Sequence, residues 1–315
     1  MSVLSLSKLF NTVKEKSGLW LITVRAKFLT ASILPVILGT AVAHWHTELF
    51  NFSLFILSII GVVLLHSGAN ILNDYYDFKS GADVLNENPT QFSGGSGVLV
   101  NGLLKEKTVK NIGLLSIILG TSTGFYLALN TGYFVFIIGM IGMLLGVFYT
   151  APPLKLAYRG FGEVIVGFVF GPLIVLGSYY VQVGTLSTIP VVAGIPLGFL
   201  IAGVLYINQF PDYKPDKLAG KNNLVVKLGP KKAVKGYTLI IASAYLSVLL
   251  GFLFFLIPSY AIIALGTLPL SYKSKGILGL NFINTKKLLP ANALAIQTHL
   301  ITGLLLSLGY LIPVL

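Results

Sequence analysis

The sequence predicts an all-α fold, a polytopic transmembrane bundle of nine helices in two pseudo-repeated four-helix halves plus one, and three observations lead there. Composition is the first: 55% of the 315 residues are hydrophobic and 10% charged, with a mean hydropathy of +0.86, too apolar for an ordinary soluble domain. Length is the second. Runs of Leu, Ile, Val, Phe, Ala and Gly recur at about the 20 residues a helix needs to cross a bilayer. The third is the placement of cations, because cytoplasmic loops concentrate Lys and Arg.

Spans are expected at residues 28–43, 50–72, 112–129, 133–149, 163–183, 189–207, 237–257, 259–271 and 291–315. The seventh and eighth form a hairpin, since 237–271 is too long for one crossing and Pro258 interrupts it. With these spans all 22 Lys and Arg residues fall on one side of the membrane, in the segment before the first span and in alternate loops thereafter. The N-terminus is therefore expected in the cytoplasm and the C-terminus outside, in a multi-pass protein of the cell membrane. One integral domain is expected over 1–315, with residues 1–18 as a cytoplasmic or interfacial lead. Membrane lipid is then the surrounding partner. The net charge of +12 is spread over short loops without a dense aromatic-basic tract, which argues against a nucleic-acid face. The lack of cysteine excludes disulfides and thiolate chemistry.

Half of the ten acidic residues gather in two short stretches. Asn73-Asp74-Tyr75-Tyr76-Asp77, with Asp83 beyond, follows the second span; Asn208-Gln209-Phe210-Pro211-Asp212, with Asp216 beyond, follows the sixth. Asn73 and Asp77, Asn208 and Asp212, and Asp212 and Asp216 are each four apart, so in helical conformation each pair shares a face. Pro211 and Pro215 predict a kinked or broken helix in the second stretch. Two facing pairs make an oxygen-rich cage. Hard oxygen donors without Cys or clustered His suit Mg2+, which binds one or two carboxylates and completes its shell with water and substrate phosphates. A single such Asp would read as a solvated loop residue; two matching clusters four spans apart read as a site.

At these residues the chain resembles the UbiA superfamily of intramembrane aromatic prenyltransferases, with an NDxxD-type motif after the second helix and a DxxxD-type motif after the sixth. The resemblance extends to Arg25-Ala26-Lys27-Phe28-Leu29, Phe92-Ser93-Gly94-Gly95, Tyr149-Thr150-Ala151-Pro152-Pro153 and Tyr158-Arg159-Gly160-Phe161-Gly162-Glu163. Asp83, six residues after Asp77, resembles the branch that prenylates 1,4-dihydroxy-2-naphthoate for menaquinone. Gly220-Lys221-Asn222-Asn223-Leu224 departs from that branch's usual Gly-Lys-Arg-Thr-Leu, so 4-hydroxybenzoate, another quinone or phenazine precursor, or a lipid precursor remain alternative acceptors.

The resemblance implies magnesium-dependent transfer from a polyprenyl diphosphate to an aromatic acceptor. It implies metal ligation by Asn73, Asp77, Asp212 and Asp216, with Asp74 and Asp83 as ligands or supports. Asp77, Asp212 and Lys155 are the expected catalytic groups. Arg25, Lys27, Lys79, Asp83, Tyr149, Asn208 and Lys221 are expected to meet diphosphate or acceptor. Lys155 follows Pro152-Pro153 and is preferred over Arg159, which reads as a topological anchor. Gly94 and Gly95 read as a turn. A cation-coupled transporter is the rival from another class, disfavoured because its sites lie near the bilayer midplane. His66 and His299 could ligate haem, but lone histidines in apolar spans more often pack or hydrogen-bond.

Overall fold

The computed structural model describes residues 18–87 and 89–314. The expected lead, apart from its last residue, and the last residue of the ninth expected span lie outside them.

Among the described residues helices are the regular elements and no strand forms, with one isolated bridge between Thr90 and Ser93. We label the α-helices α1 Thr30–Thr47, α2 Phe52–Ser80, α3 Glu106–Thr131, α4 Phe134–Val147, α5 Gly162–Val183, α6 Ile189–Asn208, α7 Tyr213–Leu218, α8 Leu224–Leu228, α9 Pro230–Leu253, α10 Leu268–Asn281 and α11 Thr285–Leu311. Seven are long and apolar enough to cross a membrane; α4, at 14 residues, is shorter. The eighth expected span differs in its bounds. It starts as the 3-10 helix Ser259–Thr267 and continues as α10 to Asn281, so Lys273 and Lys275, expected in a loop, are on a helix.

Local chemistry sets the ends that matter for function. Asn51 caps α2, its side chain accepting from the Leu54 amide at 3.1 Å. At the other end Gly81 takes φ 82°, a left-handed stop that a side chain disfavours. The helix thus continues unbroken past residue 72 through Asn73 and Asp77. By contrast α6 stops at Asn208, and Asp212 stands at the start of the short α7, the break expected from Pro211.

Helix α5 is itself interrupted at Val169–Leu173, where Gly171 leaves helical geometry and Pro172 supplies no amide. A Cβ on Gly171 would lie 2.6 Å from the Gly198 Cα, so glycine is what lets α5 approach α6 there. Two buried clusters hold the bundle together. One joins α6, α9, α10 and α11 through Leu200, Ile207, Tyr237, Leu278 and Leu288 near the end bearing the acids. The other joins α1, α5, α6 and α11 through Leu38, Val175, Leu197 and Tyr310 toward the opposite end.

Candidate functional site

His66, Asn70, Asn73 and Asp77 fall on one stripe of α2, and all four line a cavity of about 350 Å3. At its polar end the same cavity is lined by Asp83, Asn86, Asp212, Asp216, Lys221 and Asn223. The two acidic stretches therefore meet at one place. Lys221 joins them, its ammonium 3.0 Å from Asp77 Oδ2 and 3.7 Å from Asp216 Oδ1. Tyr158 donates to Asp77 Oδ1 at 2.7 Å, and Asn73 donates to Asp77 Oδ2 at 3.4 Å.

The loop between α2 and α3 closes over the second cluster. Asn86 donates to Asp212 Oδ1 at 2.8 Å and the Gly94 amide to Oδ2 at 3.1 Å. Gly94 and Gly95 both have positive φ, and a Cβ on Gly95 would collide with the Asp83 carboxylate. The turn expected there thus brings a backbone donor onto a carboxylate. Asn223 caps α8 through the Val226 amide at 2.9 Å and donates to Asp216 Oδ2 at 2.7 Å. Asn208 accepts from Asn292 of α11 at 2.7 Å.

Charge is unevenly balanced in this cluster. Burial, reinforced by Asp77 alongside, pushes the Asp83 carboxyl up to about 7. Burial likewise pushes Asp216 up to about 7, with Lys221 pulling the other way. Asp212 is also raised, by burial first. Burial works against the Lys221 ammonium, but Asp77 and Asp216 outweigh it and hold its pKa well above the usual value. In all three carboxyls burial is the first cause of the rise.

This donor set fits Mg2+. Among the described residues no three His, Asp or Glu side chains form a ready-made metal centre. Single carboxylates facing one cavity from two helix ends suit a cation that takes its other ligands from water and phosphate. Asp74 is placed differently. Arg25 pairs with it, the Ser96 amide donates to it at 3.2 Å, and it is absent from the cavity wall.

The remaining candidates separate by position. Arg25, Asn208 and Tyr149 line the cavity with Lys221. Lys155 does not; its ammonium sits 5.4 Å from the Tyr158 ring centroid. Lys79 is exposed and paired with Glu106 at 2.5 Å. Lys27 lies over the Phe28 and Phe92 rings, at 5.2 and 5.6 Å, beside a second cavity. Arg159 reaches the Pro153 carbonyl at 3.3 Å on the surface.

Below the acids the cavity becomes apolar. It follows α2 from Asn73 down to Ser58, about 22 Å at 1.5 Å per residue, between Leu65, Leu127, Val135, Ile138 and Val181. Small residues such as Gly124 and Gly139 leave its walls open.

The profile of the UbiA prenyltransferase family matches residues 32–279. The chain belongs to this family. A 1,4-dihydroxy-2-naphthoate octaprenyltransferase of Bacillus subtilis (strain 168) is 32% identical over 235 residues, 74% of this chain and 73% of the relative. A 2-carboxy-1,4-naphthoquinone phytyltransferase of Synechocystis sp. (strain ATCC 27184 / PCC 6803 / Kazusa) is 27% identical over 307 residues, 95% of each. In fold, the chain is similar to a UbiA homologue from Archaeoglobus fulgidus bound to GPP and Mg2+, with a TM-score of 0.62 at 17% identity over 92% of this chain and 99% of that one.

Within this UbiA chain, sequence reasoning missed Tyr158, Asn86, Asn223 and Ser96 as partners of the acids. Tyr158 and Asn223 stood in stretches already singled out, one as part of the family resemblance and the other as a departure from it. Asn86 offered only its closeness to Asp83.

Proposed function

We propose that the protein transfers a polyprenyl group from polyprenyl diphosphate to an aromatic acceptor, 1,4-dihydroxy-2-naphthoate in menaquinone biosynthesis. The observation supporting this most is that Asp77 and Asp216, from the two acidic stretches, share Lys221 above an apolar cavity. An anion at the top and an isoprenoid tail below match those two environments. The acceptor is suggested by the Bacillus subtilis relative and by Asp83.

Asn73, Asp77, Asp212 and Asp216 would hold magnesium, with Asp83 beside them; when bound with the diphosphate it withdraws charge from the leaving group. Lys221 meets the negative charge that grows on the diphosphate as the allylic carbon–oxygen bond breaks. The apolar walls keep water from the allylic centre, and the electron-rich ring carbon attacks it instead. No protein nucleophile enters. In this role Lys221 is better situated than Lys155.

The bundle is read as nine crossings in two four-helix halves plus one, with α4 and the Ser259–Thr267/α10 segment completing the seven long helices. The acids then face the cytoplasm, as do the cationic loops.

Mass spectrometry of membranes given polyprenyl diphosphate, Mg2+ and a panel of aromatic acceptors tests this. Prenylated naphthoquinol from 1,4-dihydroxy-2-naphthoate is the expected product. Product from 4-hydroxybenzoate alone would reassign the acceptor, and no product with any acceptor would overturn the reading.

A further inference from the structure

His66 lies on the same α2 stripe as Asn73 and Asp77, about 10 Å below Asn73 by helical rise. That depth falls beneath the polar cluster, at the top of the apolar cavity. The imidazole is set by two neighbours. Phe170, from the broken segment of α5, packs edge-on with ring centroids 4.7 Å apart. Ser32 of α1 lies 3.1 Å from Nδ1.

Ser32 holds the Nδ1 edge of the ring. Its hydroxyl has one proton and also lies 2.9 Å from the Leu29 carbonyl, an acceptor for that proton. With the hydroxyl turned to that carbonyl, the oxygen accepts from His66, which corresponds to the neutral tautomer with its hydrogen on Nδ1. In that tautomer Nε2 is a bare lone pair, with no hydrogen bond among the described residues, on a ring that lines the cavity. His299 is different: its Nε2 is wholly buried, without a hydrogen-bond partner among the described residues, and away from the cavity wall.

We propose that His66 Nε2 receives the hydroxyl proton of the aromatic acceptor and thereby orients the ring for attack. This rests on the aromatic-acceptor reading above. In the step, the allylic C–O bond breaks and its electron pair leaves with the diphosphate. The ring carbon beside the hydroxyl bonds to the allylic carbon, and the hydroxyl proton passes to Nε2, leaving a neutral ring ketone and an imidazolium. Loss of that carbon's proton to the released diphosphate, or of its carboxylate as CO2, returns an electron pair to the ring. The imidazolium gives its proton back to the oxygen, regenerating neutral His66.

The experiment compares wild type, His66→Asn and His66→Gln with two acceptors. One is 1,4-dihydroxy-2-naphthoate; the other has its hydroxyl made acidic by electron-withdrawing groups, so that it is already ionised at assay pH. Mg2+-dependent retention of prenyl diphosphate reports the folded diphosphate site in each variant. Both substitutions should lower kcat about a hundredfold with the first acceptor, the low end of general-base effects, and only about fivefold or less with the ionised one. Retention should be unchanged. Equal losses with both acceptors, or no loss in a variant that retains prenyl diphosphate, would overturn the role of His66 while leaving the transferase reading intact. Failure of the wild type with every aromatic acceptor would overturn both.

Discussion

Lys221 and Asp77 stand 144 positions apart in the sequence and 3.0 Å apart in the fold. The loop after α7 thereby docks its ammonium against the end of α2 and ties the two acidic stretches together. Lys221 is half-buried while Asp77 is buried, so the pair is partly withdrawn from water.

Removing that ammonium leaves Asp77 and Asp216 without their shared cation. Lys221→Ala is expected to lower kcat about a hundredfold, as loss of a transition-state charge partner does. Lys155→Ala and Arg159→Ala should each change kcat by less than about threefold, since neither cation lines the cavity. Steady-state kinetics normalised to folded protein decides between them. A larger loss at Lys155 would return the diphosphate contact to the loop before α5.

Arg25 and Asp74 form a second link, holding the segment before α1 against α2 and, through the Ser96 amide, against the loop beyond it. Truncating one partner of a buried pair costs about 3–5 kcal/mol because the other charge is stranded. Asp74→Ala should accordingly lower the Tm in detergent, and Arg25→Met/Asp74→Leu should recover part of the loss. A double variant as unstable as the sum of the singles would show that the two residues are not coupled.

Stability should also respond to pH in the metal-free protein. Asp83 and Asp216 sit at about 7 in the folded chain against 3.8 for the free group, so the folded state holds protons that the unfolded state releases. Their contribution is complete below about pH 3.8 and disappears as pH rises through 7. Lys221, raised from a value already near 10.5, stays charged across this window. Thermal unfolding with a chelator should therefore give a Tm that falls between pH 4 and 7, less steeply in Asp83→Asn/Asp216→Asn. A flat profile in the parent would contradict the assignment.

The orientation follows from the cations. A reporter fused after Leu315 should read extracytoplasmic and one within residues 214–235 cytoplasmic. The same side for both would mean an odd number of errors in the crossings between them.

How much was legible differed from residue to residue. Asn73 and Asp77 could be placed because α2 is continuous, so a spacing of four fixes their common face. Pro211 announced the break before Asp212 for an equally local reason. Lys155 was placed above Lys221 as a catalytic group, whereas Lys221 is the one that lines the cavity, since each side chain's position depends on how distant loops dock rather than on its neighbours in sequence. Tyr158 was hidden in the same way: its bond to Asp77 joins residues 81 positions apart. The end of the eighth span was missed because Lys273 and Lys275 lower the apparent hydropathy of α10, whereas a lysine's long stem lets a helix continue while the ammonium reaches water.

The most direct test of the account is binding of polyprenyl diphosphate to purified protein, with and without Mg2+, in wild type, Asp77→Asn and Asp212→Asn. The two substitutions sample the two acidic stretches separately. A single site built from both predicts that binding requires Mg2+ in the wild type and falls at least about tenfold in each variant. Binding that ignores Mg2+, or that persists undiminished when either stretch is disabled, would contradict it.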